Sequence, residues 1–171
     1  MALVSSKGTK IVALIIISAI VYAGWLKGLE IIYTRVLVAG TNVALGMVKK
    51  DTRIELEKAN STFQFKVRTR IDGRKASFTQ PFGSLLQPFV IILSWQIFLL
   101  IAISFKSAVK AFGVNVGIFL LLQIVFLILL TGYHSSETQK FIYILFMDSF
   151  YIMALVLVIK DNMLYQVFRR I

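Results

Sequence analysis

The stretch TFQFKVRTRIDGRKASF, residues 62–78, alternates apolar and polar side chains almost one by one. Phe63, Phe65, Val67, Thr69 and Ile71 fall on one side of an extended chain, and Gln64, Lys66, Arg68 and Arg70 on the other. That is the pattern of a strand with one face packed and one face in water. Asp72-Gly73 tolerates the positive φ of a tight hairpin turn, and Ala76 and Phe78 carry the alternation onto a returning strand. Upstream, Ile54 and Leu56 alternate with Arg53, Glu55 and Glu57, and Asn60-Ser61 is a second turn signal. The expectation is a three-stranded β-meander over residues 52–80. A sheet this small is marginal in water by itself. Its apolar face needs a cover from a neighbouring helix, a bilayer surface or a partner protein.

Most of the remaining chain is greasy. The 171 residues are 58% hydrophobic and only 16% charged, with a mean hydropathy of +0.82. This is too apolar for an ordinary soluble domain and points to an integral membrane protein. The net charge of +11 raises the question of nucleic acid. The basic residues lie between and beside long apolar runs, however, where they serve as orientation signals and contacts for anionic lipid headgroups, so no nucleic-acid partner is expected. The absence of cysteine excludes disulfides, thiol nucleophiles and cysteine-based zinc sites.

Four apolar runs stand out: Ile11–Leu26, Leu85–Phe105, Gly113–Gly132 and Phe141–Ile159. The last three approach the ~20 residues that cross a hydrocarbon core. The first is shorter and also fits a secretory signal, with Lys7 and Lys10 before it and a cleavable Val21-Tyr22-Ala23. The apolar stretch 31–48 follows without a polar break, which suits a retained, membrane-hugging chain. Residues 30–50 carry Ile32, Val36, Val43 and Met47 on one helical face and close on Lys49-Lys50, as an interfacial helix would. The expected fold is therefore an α-helical integral membrane protein, with four transmembrane helices and a small extracytoplasmic β-meander between helices 1 and 2. Residues 1–29 form the cytoplasmic N-terminus and first span, and 30–84 the extracytoplasmic segment. Residues 85–159 form the bundle of spans 2–4, and 160–171 a basic amphipathic cytoplasmic tail, with Met163, Val167 and Ile171 toward the inner leaflet.

Four spans place both termini on one side. The short segments there hold Lys7, Lys10, Lys106, Lys110, Lys160, Arg169 and Arg170, whereas the loop 133–140 holds only Lys140. The positive-inside rule puts the basic side, and both termini, in the cytoplasm. The many cations of residues 30–84 bear little on this, because the rule weakens for loops of about sixty residues. Lys106–Lys110 reads as a tight turn between antiparallel spans 2 and 3.

Asp148 is the one acid inside an apolar run. A carboxylate there costs about 2.5–3.5 kcal/mol on insertion scales and faces protein or water. At ~1.5 Å per residue, Ser18, Gln96, Gln123 and Asp148 reach similar depths of ~12–15 Å, so four helices contribute to one intramembrane polar layer, with Asp148 pairing to Gln96 or Gln123. Three roles fit such a layer: interhelical hydrogen bonds that hold the bundle, a docking site for another membrane protein, or a proton or ion path. The loop Gly132–Lys140 contains His134, Ser135, Ser136 and Glu137, but four adjacent residues lack the converging geometry of a triad, and His134 with Glu137 offers at most two metal ligands. Ser136 with Gln139, and Ser84 with Gln87, fit helix capping boxes, or Pro88 takes the first position of its helix. No phosphate loop or nucleophile motif is present. No catalytic residue, metal or cofactor is expected. Lys66, Arg68, Arg70, Arg74 and Lys75 form an extracytoplasmic basic face that meets an acidic partner segment, lipid headgroups or only solvent.

Asp72-Gly73-Arg74, the segment PFGSLLQPFVIILSWQIFLL (residues 81–100) and the run LLLQIVFLILL (120–130) together resemble the small membrane proteins called exosortase H-associated. In that family an N-terminal span leads to a short strand-rich outer segment and then to three closely spaced spans. Here Gly83-Ser84-Leu85-Leu86-Gln87-Pro88 stands where the family has Gly-Leu-Pro before its second span. The resemblance covers most of the chain by layout and brings no catalytic residues. It implies a non-catalytic accessory or scaffolding protein in the bacterial inner membrane, beside an exosortase-type transpeptidase that sorts proteins. A small proton- or ion-coupled transporter or channel subunit using Asp148 is the main alternative. A membrane-tethered binder of lipid or polysaccharide is a third.

Overall fold

The computed structural model describes residues 6–59, 62–71, 73–82, 85–147 and 149–168. Helix α1, Lys7–Gly24, is capped by Ser6, whose Oγ accepts from the Thr9 N–H at 3.2 Å. A wider helical turn, Trp25–Leu29, leads into α2, Glu30–Val48. Gly28 in that turn has φ +128°, a backbone state that side chains with a Cβ rarely adopt. Strands β1 (Arg53–Ala59), β2 (Thr62–Ile71) and β3 (Arg74–Pro81) follow. Helices α3 (Pro88–Ala102), α4 (Phe105–Leu130), α5 (Glu137–Met147) and α6 (Ser149–Tyr165) complete the chain.

The meander has the expected shape. It is an antiparallel sheet in the order β1-β2-β3, with Ile54 opposite Val67 and Val67 opposite Phe78. Gly73 has φ +76°, as the hairpin required, while its neighbour Asp72 and the Asn60-Ser61 turn lie outside the described residues. An α2 helix over the expected interfacial segment is also present.

The helices depart from the four runs in two places. The Lys106–Lys110 turn is helical instead: α4 begins at Phe105, and only Ile103-Ser104 separates it from α3. Ile103 is extended (φ −129°, ψ −176°), and the Ala108 N–H donates to the Ser104 carbonyl at 2.9 Å. Lys106, Ala108 and Lys110 favour helix, and no Gly or Pro lies among them to stop it. The fourth run is divided between α5 and α6. Its N-terminus is capped as expected, with Ser136 Oγ accepting from the Gln139 N–H at 3.3 Å. Pro88 takes the first position of α3, and Ser84 lies outside the described residues.

Among the described residues, two helical stretches are long and apolar enough to cross a membrane: Lys7–Val48 and Phe105–Leu130. The α5–α6 pair makes a third if it forms one interrupted span. Pro88–Ala102 is apolar but has 15 residues, about 22 Å at ~1.5 Å per residue, against a core of ~30 Å.

The chain divides into two compact units. One combines α1, α3, α4 up to Phe119, and α6 from Phe150. Its core joins Trp95, Phe98, Leu99 and Ala102 of α3 to Ala108 and Ala111 of α4, with Ala13, Leu14 and Ile17 of α1 packed alongside. Tyr165, Val167 and Phe168 of the expected surface tail belong to this core instead. Gln166 (φ +50°) turns the chain after α6, Val167 is buried, and Phe168 stacks on Phe98 at 5.8 Å. Lys10 Nζ donates to the Val167 carbonyl at 2.7 Å and holds the turn against α1. Met163 is exposed, and Ile171, Arg169 and Arg170 lie outside the described residues.

The other unit contains α2, the sheet, Leu85-Leu86, α4 from Leu120, and α5. Here α2 runs along β1, and Phe82 and His134 lie against the apolar face of the sheet. Ile54, Phe65 and Val67 are buried, and Phe65 packs on Phe82 with ring centroids 4.7 Å apart. The Asn42 side-chain amide donates to the Ile54 carbonyl at 2.8 Å and accepts from the Ile54 N–H at 2.9 Å. Ile32, Val36, Val43 and Met47 lie together on the exposed face of α2.

Candidate functional site

Polar side chains inside an apolar bundle need partners, and the first unit gathers its own around one carboxylate. Asp161 of α6 is 1% exposed. Its Oδ2 accepts from Trp95 Nε1 at 3.2 Å, Gln96 Nε2 at 3.0 Å and Asn115 Nδ2 at 2.6 Å. Lys160 Nζ stands 3.4 Å from Oδ1 and also donates to Asn115 Oδ1. Three donors and an ammonium, from α3, α4 and α6, thus compensate the lost hydration of the carboxylate. Lys160 keeps about a third of its side-chain surface exposed, so its long stem brings the charge from the boundary toward the buried acid.

Helix periodicity produces this convergence. Trp95 and Gln96 are consecutive on α3, and Asn115 lies one turn beyond the buried Ala111 of α4. On α6 the buried residues are Phe150, Ala154 and Asp161, spaced four and seven apart, which is one helical face. Two buried acceptors nearby on α3 have no hydrogen-bond partner among the described residues: Ser94 Oγ and Gln96 Oε1.

The expected polar layer is distributed differently. Gln96 bonds to Asp161, but Gln123 belongs to a separate network, where it accepts from the Tyr33 hydroxyl and donates to the Leu85 carbonyl. Ser18 is half-buried on α1 and makes none of these bonds. Asp148 lies outside the described residues. The acid that anchors the observed network, Asp161, lies with Lys160 in the segment that the sequence reads as a cytoplasmic tail. That boundary is corrected: α6 runs on to Tyr165 and carries Asp161 inward.

The second polar feature is the outer face of the sheet. Three of the five expected basic residues are neutralised there: Lys66 by Glu57 at 2.6 Å, Arg68 by Glu55 at 2.9 Å and Arg70 by Asp51 at 3.2 Å. Lys75 stands opposite Arg70 on this face. Arg74 pairs with Ile71 instead and takes the side of Ala76 and Phe78, so it does not belong to the basic face. Lys50 and Arg53 complete the lining of a shallow concavity of about 630 Å³ over the sheet.

Loop chemistry adds little to either site. The His134 ring lies edge-on to Phe78 at 4.5 Å and to Tyr133 at 5.0 Å, an aromatic contact. Among the described residues no group of three or more His, Asp or Glu converges on a metal position. No protein-family model, curated protein or solved structure matches the chain.

Proposed function

We propose that this chain is a four-span accessory or scaffolding protein of the bacterial inner membrane, with both termini in the cytoplasm and the sheet outside. The spans in this reading are α1, α4, the interrupted α5–α6 and α3, whose 15 residues cross where the bilayer thins around them. One observation carries the scaffold role: an apolar 18-residue portion of Lys7–Val48 is only 11% buried within the chain. A long apolar surface is left for lipid and for another membrane protein, while the Asp161 carboxylate is satisfied inside by Trp95, Gln96 and Asn115. The resemblance to exosortase H-associated proteins supplies the partner's class, an exosortase-type sorting transpeptidase, and the chain itself carries out no chemistry.

The chain has no cysteine, so single-cysteine variants at the exposed Ile20, Ile32 and Val43 allow crosslinking in native membranes without background. A crosslink to one larger membrane enzyme is the expected result. Adducts with lipid alone, or a Gly73 reporter shielded in the cytoplasm, would reject the proposal.

One detail supports a transporter subunit as the second reading: the unpartnered Gln96 Oε1 sits on the residue that bonds Asp161. Proton flux into liposomes that is lost with Asp161→Asn would favour it. Absence of flux would leave the accessory role.

A further inference from the structure

The two edges of the sheet are unequal. At β1, Asn42 already occupies the outward N–H and C=O of Ile54. In an antiparallel ladder the residues alternate between pairs bonded to each other and pairs whose backbone groups point away. Ile54 points outward from its pair with Val67, so Val67 turns its backbone to Phe78 across β3. The neighbours of Phe78, namely Ser77 and Thr79, therefore direct their N–H and C=O away from β2. Ser77 and Thr79 are exposed, and among the described residues nothing bonds to that edge.

Charge singles out what would pair there. Six cations line the concavity beside β3: Lys50, Arg53, Lys66, Arg68, Arg70 and Lys75. Three have the acidic partners described above, whereas Lys50, Arg53 and Lys75 have no ion pair among the described residues. Arg53 stands opposite Arg68, and Lys75 opposite Arg70. Like charges facing each other across strands are destabilising. An anionic group beside β3 would relieve the Lys75–Arg70 pair. On the opposite, apolar face of the sheet Phe65 packs against Phe82 and Phe78 against His134, so the basic face looks away from these apolar contacts.

We infer that β3 is a docking edge for an extended acidic segment of a partner protein. The segment adds a fourth strand through the outward groups of Ser77 and Thr79, and its carboxylates meet Lys75 on β3 and reach toward Arg70, which Lys75 faces. This deepens the accessory proposal by naming the partner's chemistry, and it rests on that proposal for the existence of a protein partner.

The test uses the full chain in nanodiscs of phosphatidylcholine and an alternating valine–glutamate peptide. The peptide is expected to bind, its valine–lysine counterpart is not, and added salt weakens binding. Lys75→Glu is expected to weaken it about tenfold. Thr79→Pro removes an outward N–H without changing charge and is tolerated on an edge strand, so it should weaken binding to a similar extent. Ser77→Pro repeats that test at a second position. No peptide binding, or binding that responds to charge but to neither proline, would overturn the inference. So would capture of phosphatidylglycerol vesicles, sensitive to Lys75→Glu, without peptide binding. The assay is independent of the α1–α2 crosslinks. Crosslinking without peptide binding rejects the docking edge alone, and peptide binding without a crosslinked partner rejects the enzyme-partner proposal alone.

Discussion

Asn115 donates a 2.6 Å hydrogen bond to Asp161 and so joins α4 to α6 through a buried carboxylate. Trp95 and Gln96 attach α3 to the same oxygen. Removal of the acceptor leaves three donors without a partner, and a buried unsatisfied donor costs about 1–3 kcal/mol. Thermal unfolding in detergent should rank the parent above Asp161→Asn, and that variant above Asp161→Leu. The pair Asp161→Asn and Asn115→Leu should show a coupling of about 0.5–3 kcal/mol in a double-mutant cycle. Strict additivity would mean that the two side chains do not act together.

The Asn42 clasp on Ile54 makes a local prediction. Asn42→Leu keeps the size of the side chain but removes both hydrogen bonds to the outer edge of β1. The loss is about 1–2 kcal/mol. Amide exchange should speed up at Ile54 more than at Val67, whose backbone is held between strands. Unchanged exchange at Ile54 would show that the clasp does not protect this edge.

Two glycines should respond to alanine in opposite directions. Gly28 has φ +128°, and a side chain there is strained even though the space around it is open. Gly28→Ala should destabilise the chain by about 1–3 kcal/mol. Gly46 lies within α2, is exposed and also has open space for a Cβ. Gly46→Ala should stabilise by about 0.5–1 kcal/mol by limiting the freedom of the unfolded chain. Melting temperatures that shift in the same direction would contradict this assignment.

The Tyr33–Gln123 bond sits inside the second unit. Tyr33→Phe takes away the donor to Gln123 Oε1, which leaves a buried acceptor at a cost of about 1–3 kcal/mol. The same substitution in a Gln123→Leu background should cost less, because that acceptor is already gone. Equal costs in both backgrounds would place the stabilising contact of the Tyr33 hydroxyl elsewhere.

The residues that sequence alone located are those whose environment follows from a short period. Alternation by two put Phe65 and Val67 inside and Lys66 and Arg68 outside, and the observed register agrees. Arg74 broke the pattern because strand pairing across the turn, and not nearness to Lys75, decides its side. On α6, Phe150, Ala154 and Asp161 have the spacing of a buried face, but Lys160-Asp161-Asn162 has the composition of a polar exit. Composition masked the period.

Apolar run length, the alternation of residues 62–78 and the absence of cysteine were determined by the sequence itself, because each depends on neighbours along the chain. They define apolar helices and a small charged ribbon. Which acid would be buried, and what would satisfy it, depended on residues 46, 65 and 66 positions away. Only tertiary packing brings Asn115, Gln96 and Trp95 to Asp161, because a carboxylate enters an apolar interior only where donors from other helices replace its water.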